Sequence, residues 1–124
     1  MQRYGDIVRA QGDHACEAIG LKINRVAGLT KAKRIRDFCV ETGIRMNIEE
    51  TGGSVIADTA AVHLAQATPR MFLRATWLCN DMLTIDTATG GARNQGGKTF
   101  APEAPGLGVE PILDVLGEAI AVYK

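Results

Sequence analysis

Ile19-Gly20-Leu21-Lys22-Ile23-Asn24 and Ile44-Arg45-Met46-Asn47-Ile48-Glu49 are the two stretches on which the fold turns. In the first, Ile19, Leu21 and Ile23 alternate with Gly20, Lys22 and Asn24; in the second, Ile44, Met46 and Ile48 alternate with Arg45, Asn47 and Glu49. Successive side chains of a strand point to opposite faces, so each stretch reads as a strand with one apolar and one polar side. Gly28-Leu29-Thr30 opens a helix that runs to about Thr42, with an apolar stripe of Leu29, Ala32, Ile35, Phe38 and Cys39, and Gly43 ends it. The turn Thr51-Gly52-Gly53 leads into a second helix over Ser54 to Ala67, Thr68-Pro69 stops it, and a third strand follows over Met71 to Trp77. Helical crossovers between short strands imply parallel neighbours. A helical pattern over Tyr4 to Gln11 precedes the first strand, here taken as Ala18 to Asn24. The segment from Leu78 to Pro111 reads as loop-rich, with Gly90-Gly91 and Gly96-Gly97 flanking a polar turn, and a last helix over Pro111 to Val122 is expected to bury Ile112, Val115, Leu116 and Ala119.

The polar sides decide between two parallel-sheet architectures. A doubly wound sheet is covered on both faces, so its central strands read apolar throughout, whereas a barrel strand has one face under helices and one toward the interior and its mouth. Here the polar residues gather at the carboxyl ends, where the mouth of a (β/α) barrel lies, so Lys22, Asn24, Asn47 and Glu49 are expected to share one cavity. Three strands do not close a barrel of eight. The chain therefore reads as α/β, the C-terminal portion of a (β/α)8 TIM-type barrel, one partial domain over residues 1–124 with exposed strand edges. Desolvation disfavours an ammonium, so Lys22 in an apolar run is paired, reaching to an edge, or held as a base.

Composition narrows the rest. Fourteen basic and fourteen acidic residues give no net charge, which leaves no footprint for nucleic acid or an anionic membrane. Lys31, Lys33, Arg34 and Arg36 lie on a helix with Asp37 and Glu41 and read as a solvated face. No apolar stretch reaches the length of a membrane span and the first residues lack the apolar core of a signal peptide, so a soluble cytoplasmic chain is expected. Cys16, Cys39 and Cys79 are odd in number, far apart and without CxxC spacing, which suits reduced core residues better than disulfides or zinc. His14, His63 and the single serine, Ser54, do not recommend a Ser-His-Asp arrangement. The turn Thr51-Gly52-Gly53-Ser54 has the form of an anion cradle at a helix N-terminus but lacks P-loop spacing, and a plain tight turn is the simpler reading.

The run GLKINRVAGLTKA, from Gly20 to Ala32, resembles the sixth barrel strand and following helix of the enolase superfamily, in the mandelate racemase/muconate lactonizing enzyme branch. MNIEETGGSVIADTAAVHLAQATP resembles the seventh strand and helix, and APEAPGLGVE is similar to the branch's Pro-Gly-Leu-Gly signature. The residues around Thr76-Trp77-Leu78-Cys79 are most similar to the cis-3-hydroxy-L-proline dehydratase and hydroxyproline betaine epimerase group. The resemblance implies removal of a proton alpha to a carboxylate, through an enediolate held on magnesium, followed by reprotonation or loss of a leaving group. Lys22 matches one of the two acid/base groups; an edge lysine paired with Glu49 or Glu50 is the competing reading. Trp77, Glu49, Glu50, Asn24 and Asn47 are the expected substrate contacts, with Trp77 either packing on or attracting a pyrrolidinium ring, or else a core residue. Glu49 and Glu50 also suit the positive end of the following helix. Thr76 and Leu78 stand where the branch usually carries acids, which argues against an ordinary dipeptide epimerase.

In the family the magnesium ligands lie on the third to fifth strands, the opposing lysine on the second, and a capping domain precedes them. None of these regions is matched here, so no metal ligand is assigned and the chain is expected to be inactive alone. Its partners would be a small carboxylate substrate and either a second copy or a complementing N-terminal portion. Two other readings remain open: a non-catalytic remnant or assembly subunit that uses its free strand edges, and a small phosphate-binding module built on Gly52-Gly53.

Overall fold

Residues 3–123 are described by a computed structural model, and they run helix, strand, helix, strand, helix, strand before the alternation ends. α1 (Tyr4–Gly12), β1 (Ala18–Lys22), α2 (Leu29–Glu41), β2 (Arg45–Glu49), α3 (Val55–Gln66) and β3 (Leu73–Trp77) fall close to the expected boundaries. The strands form one parallel sheet in the order β1-β2-β3, with both outer strands unpaired on their far sides within this sheet. β1 is shorter than its alternation suggested. After Lys22 the chain turns into a 3-10 turn, Asn24–Val26, and Ala27 takes φ 61 before Gly28 at φ 107.

One face of the sheet is dry. Ile19 and Leu21 from β1 and Met46 and Ile48 from β2 pack with Ala32, Ile35 and Cys39 of α2 and with Ala60, Ala61, Leu64 and Ala65 of α3. Alanines on α3 let the helix lie close to the strands, and the buried apolar side chains supply most of the driving force for this layer. α3 is buried nearly all round, since Val62 also packs with Leu78 and Ala92 from the segment after β3. The opposite face of the sheet, with Gly20, Lys22, Asn47 and Glu49, stays partly open.

β3 carries a register shift. Met46 pairs with Leu73 but Asn47 pairs with Ala75, so Arg74 is an extra residue on β3. Leu73 therefore faces the helices, whereas Ala75 and Trp77 face the open side beside Asn47 and Glu49.

Three expectations are corrected. The last helix, read as Pro111 to Val122, is a four-residue α4 (Leu113–Leu116) with no buried residue; Val115 and Leu116 are about half exposed, Ala119 is exposed and Ile112 is only partly buried. An amphipathic pattern forms a lasting helix only where its apolar stripe meets a surface, and Gly117 at φ 75 stops this one. The loop-rich segment from Leu78 to Pro111 carries a 3-10 turn, Asn80–Met82, and a two-stranded antiparallel ribbon of β4 (Ala88–Gly90) and β5 (Val109–Pro111). Leu29 of the α2 stripe is 36% exposed. Arg36 is buried rather than solvated: its guanidinium reaches the Ala67 carbonyl at the C-terminal end of α3 and Asp37 beside it. That places a cation where unpaired helix carbonyls accumulate. Lys31, Lys33 and Arg34 are exposed, as expected of a solvated face.

Candidate functional site

At the carboxyl ends of the strands, Lys22, Glu49 and Trp77 are register partners across the sheet, and one layer below lie Gly20, Asn47 and Ala75. Register partners project to the same face, so these residues form a row whose ends are two strand spacings, about 10 Å, apart. Lys22 Nζ is 3.9 Å from Glu49 Oε1, and the two side chains are 22% and 21% exposed. That is an ion pair without a tight hydrogen bond, largely withdrawn from water.

Gly20 is what lets Glu49 lean across. A Cβ at Gly20 would lie 2.7 Å from Glu49 Oε1, so the missing side chain leaves the space into which the carboxylate tips toward β1. Along the sequence Gly20 reads only as a member of the polar series. A glycine inside a strand is itself a sign that another group approaches closely, which was the available signal. Gly20→Ala should push the Glu49 carboxylate away from Lys22 at little cost in stability, since a flexible side-chain end can move. Urea melts should differ by about 1 kcal/mol or less, while the chemical shift of the Glu49 carboxyl carbon at fixed pH should move.

Trp77 is 52% exposed, so it is not a core tryptophan. Its neighbour in the row is Glu49, which sets an aromatic face beside a carboxylate. Asn47 is half buried and points to the same side. Asn24 and Glu50 are not brought into the row. Asn24 is exposed in the 3-10 turn, beyond the end of β1. Glu50, 2% exposed, accepts the Thr51 amide at 2.7 Å through Oε1, and its Cγ lies 2.6 Å from where a Cβ of Gly53 would be.

Behind the row is a buried polar junction that sequence reasoning missed. Asp58 Oδ2 accepts the amides of Cys79 at 2.8 Å and Asn80 at 2.6 Å, and Asn80 Nδ2 donates to the Ala92 carbonyl at 2.9 Å. The Thr59 hydroxyl donates to Val55 O at 2.5 Å and accepts from Ala92 N at 2.9 Å. Gly52 N donates to Cys79 Sγ at 3.3 Å. Burial pushes the Asp58 carboxyl above the usual carboxylate range; the two amides oppose this, and Glu50 and Asp81 add to the rise. Nothing in the local sequence marks Asp58, because its partners lie more than twenty residues away.

The amides of Thr51 and Gly52 are thus committed to Glu50 and Cys79, and Ser54 caps α3 by accepting from Ala57 N. A tight turn describes this segment. All three cysteines are free, and burial, with Cys16 nearby, pushes the Cys39 thiol up to about 11, as suits an inert core residue. His63 Nε2 lies 3.0 Å from Leu107 O and holds the Pro105-Gly106-Leu107-Gly108 loop, and His14 sits exposed in a turn. Among the described residues no three His, Cys, Asp or Glu side chains gather as a metal site, and no helix is long and apolar enough to cross a membrane. A groove of about 890 Å³ between α1 and α2 contains none of the row residues.

The family model described as enolase C-terminal domain-like matches residues 1–115. The chain is 44% identical to cis-3-hydroxy-L-proline dehydratase of Roseibium aggregatum over 118 residues, which is 95% of this chain and 32% of that protein. It superposes at TM-score 0.89 on an enolase superfamily member from Roseovarius nubinhibens complexed with magnesium, at 48% identity, covering 96% of this chain and 33% of the other. A mandelate racemase/muconate lactonizing enzyme from the same organism gives TM-score 0.91 at 33% identity, covering 97% and 32%. The chain spans about a third of the length of these relatives.

Proposed function

The chain belongs to the enolase superfamily, in its mandelate racemase/muconate lactonizing enzyme branch, its three strands matching the C-terminal portion of that barrel, and from this we propose that it carries the base and the cation-binding wall of a site acting on a proline-like carboxylate. The observation that supports the reading is the single row of Lys22, Glu49 and Trp77. Lys22, at the end of its strand, takes the proton alpha to the carboxylate. Glu49 offers a negative charge, and Trp77 an aromatic face, to a ring ammonium. Asn47 lies one layer deeper, where it supplies a polar floor.

The acid/base work needs only that Lys22 be within hydrogen-bond reach of the substrate Cα proton, and the strand ends supply a rigid mount for that. Electron density released from Cα passes into the carboxylate, and the anion then either regains a proton or expels a leaving group from Cβ. The described residues do not fit a magnesium ion, for want of a gathered ligand set, so no step here runs through one. The free edges of β1 and β3 are the places where further parallel strands would pair to close the barrel. In this reading they come from a complementing N-terminal portion, which also brings the metal ligands and the second acid/base group, and the present chain alone is inactive.

The test is deuterium exchange at Cα of cis-3-hydroxy-L-proline and of a hydroxyproline betaine in heavy water with magnesium, followed by NMR. The chain alone should exchange neither, and the chain with the remaining portion of a relative's barrel should exchange at least one. Exchange by the isolated chain would overturn the requirement for a complement. A stable complex without exchange would make the chain a non-catalytic assembly subunit.

A further inference from the structure

We propose that the groove between α1 and α2 is a docking surface for one occupant: the last helical turns of the complementing N-terminal portion, an amphipathic segment with carboxylates along its polar edge that leads toward α1. This rests on the complement inferred above, through its binding and not through its chemistry.

α1 leads into β1 and α2 into β2, and the two strands are parallel neighbours, so the two helices run the same way along the sheet. They are not level. The Tyr4 ring meets the Phe38 ring edge-on at 5.5 Å, which sets the first turn of α1 beside the last turn of α2. α1 has 9 residues where α2 has 13 and α3 has 12. The flank of α2 from Phe38 back to Lys31, about 10 Å at the helical rise, borders the groove together with Val26 and Ala27 of the turn after β1. Of the described residues in and around α1, only Arg3 and Tyr4 line the opening, so it lies ahead of that helix and not along it.

The walls define what fits. Val26, Ile35, Phe38 and Tyr4 make an apolar floor, and Tyr4 is still 47% exposed. Arg25, Lys31 and Arg34 stand exposed on the rim, and none of them forms an ion pair among the described residues. Asp37 on the same rim is already held by Arg36 and Lys33. The floor suits the apolar stripe of an amphipathic helix, and the unpaired cations suit Asp or Glu beside that stripe. The chain covers about a third of each relative and matches the C-terminal portion of the barrel, so in those proteins the preceding polypeptide arrives at the position of Arg3, at the open end of the groove.

The probe is the part of the Roseibium aggregatum dehydratase that precedes the matched residues, made at two lengths. One is complete up to the match; the other lacks its last two helical turns, about seven residues. Titration calorimetry should give the complete portion about tenfold tighter binding or more, weakening as salt is raised. Lys31→Glu together with Arg34→Glu should weaken the complete portion by about tenfold and leave the trimmed one unchanged. Equal binding of the two lengths, a charge-reversal effect of the same size on both or on neither, or no binding at all overturns the proposal. So does a wild-type oligomer in sedimentation that the double reversal takes to monomer, since the occupant is then a second copy. Both substituted positions are exposed, and should the variant nevertheless fail to fold, the two probe lengths on the wild-type chain decide. Exchange at the substrate Cα is read separately. A length-dependent complex that exchanges nothing keeps the groove and removes the catalytic reading, whereas exchange in a complex indifferent to length does the reverse.

Discussion

Lys22→Met should abolish proton exchange at the substrate Cα in the assembled barrel, by about 10²- to 10⁴-fold as is typical for loss of a positioned base, while the fold survives. Methionine has a similar length and no charge, and the side chain it replaces sits at the end of β1, partly exposed, with a single ion pair at 3.9 Å. Partly exposed pairs of this kind contribute about 1 kcal/mol or less, so urea melts of the two proteins should nearly coincide. The informative result is the split between the two measurements. Exchange in heavy water followed by NMR should vanish, and the denaturation midpoint should hold. Exchange at the wild-type rate would remove Lys22 from the mechanism. A collapse of the midpoint would instead make it a structural residue whose pairing with Glu49 matters to the sheet.

Ile48→Ala should be the most damaging change to stability among the strand positions. Ile48 is fully buried in the central strand, between Leu21 and Thr76 in register and beneath α3. Removing its side chain loses the transfer free energy of the buried carbons and leaves a cavity that two fixed neighbouring strands cannot fill, a cost of about 2–5 kcal/mol. Against a total of about 5–15 kcal/mol for a folded domain, that moves the urea midpoint far. Arg45→Ala, on the exposed side of the same strand, should shift stability by about 0.5 kcal/mol or less. The pair of melts tests whether the sheet is dry on one face only. Equal losses would mean that the open face is buried too.

The Asp58 carboxyl adds a pH dependence of definite sign. Its folded-state value lies above the ordinary one, chiefly through burial, so the folded chain holds a proton that the unfolded chain has already released. The resulting stabilisation is full below 3.8 and is lost as pH rises through the folded-state value. Most acidic groups in proteins act the other way, and urea midpoints of the wild type and Asp58→Asn measured across pH separate this one from them: the difference between the two should grow toward low pH.

Period and punctuation in the chain were enough for the alternation of helices and strands, for the parallel order, and for the division of β1 and β2 into a dry and a wet face. Those are local properties: a side chain's face follows from its parity along the strand, and Gly43, Thr68-Pro69 and Ser54 mark ends within a few residues of themselves. The polar strand faces led to the expectation that Lys22 and Glu49 lie together, the family resemblance added Trp77, and the sheet register sets the three in one row.

Other features depended on contacts between distant segments. Parity alone puts Leu73 and Trp77 on one face of β3, yet the extra residue Arg74 sends them to opposite faces, and only pairing with β2 creates that shift. The apolar pattern after Pro111 is as helical as that of α2, but a stripe without a surface to bury it leaves four helical residues. Glu49 and Glu50 are adjacent acids of the same type, and the turn at the end of β2 gives one to the open face and one to the interior. Asp58 gains its meaning from Cys79 and Asn80, which the chain brings to it only after β3 has paired. The sequence by itself determined the elements and their faces, because propensity and periodicity act within a few residues. Tertiary structure decided which side chains meet at the mouth and behind it, because strand register and burial are set by partners far along the chain.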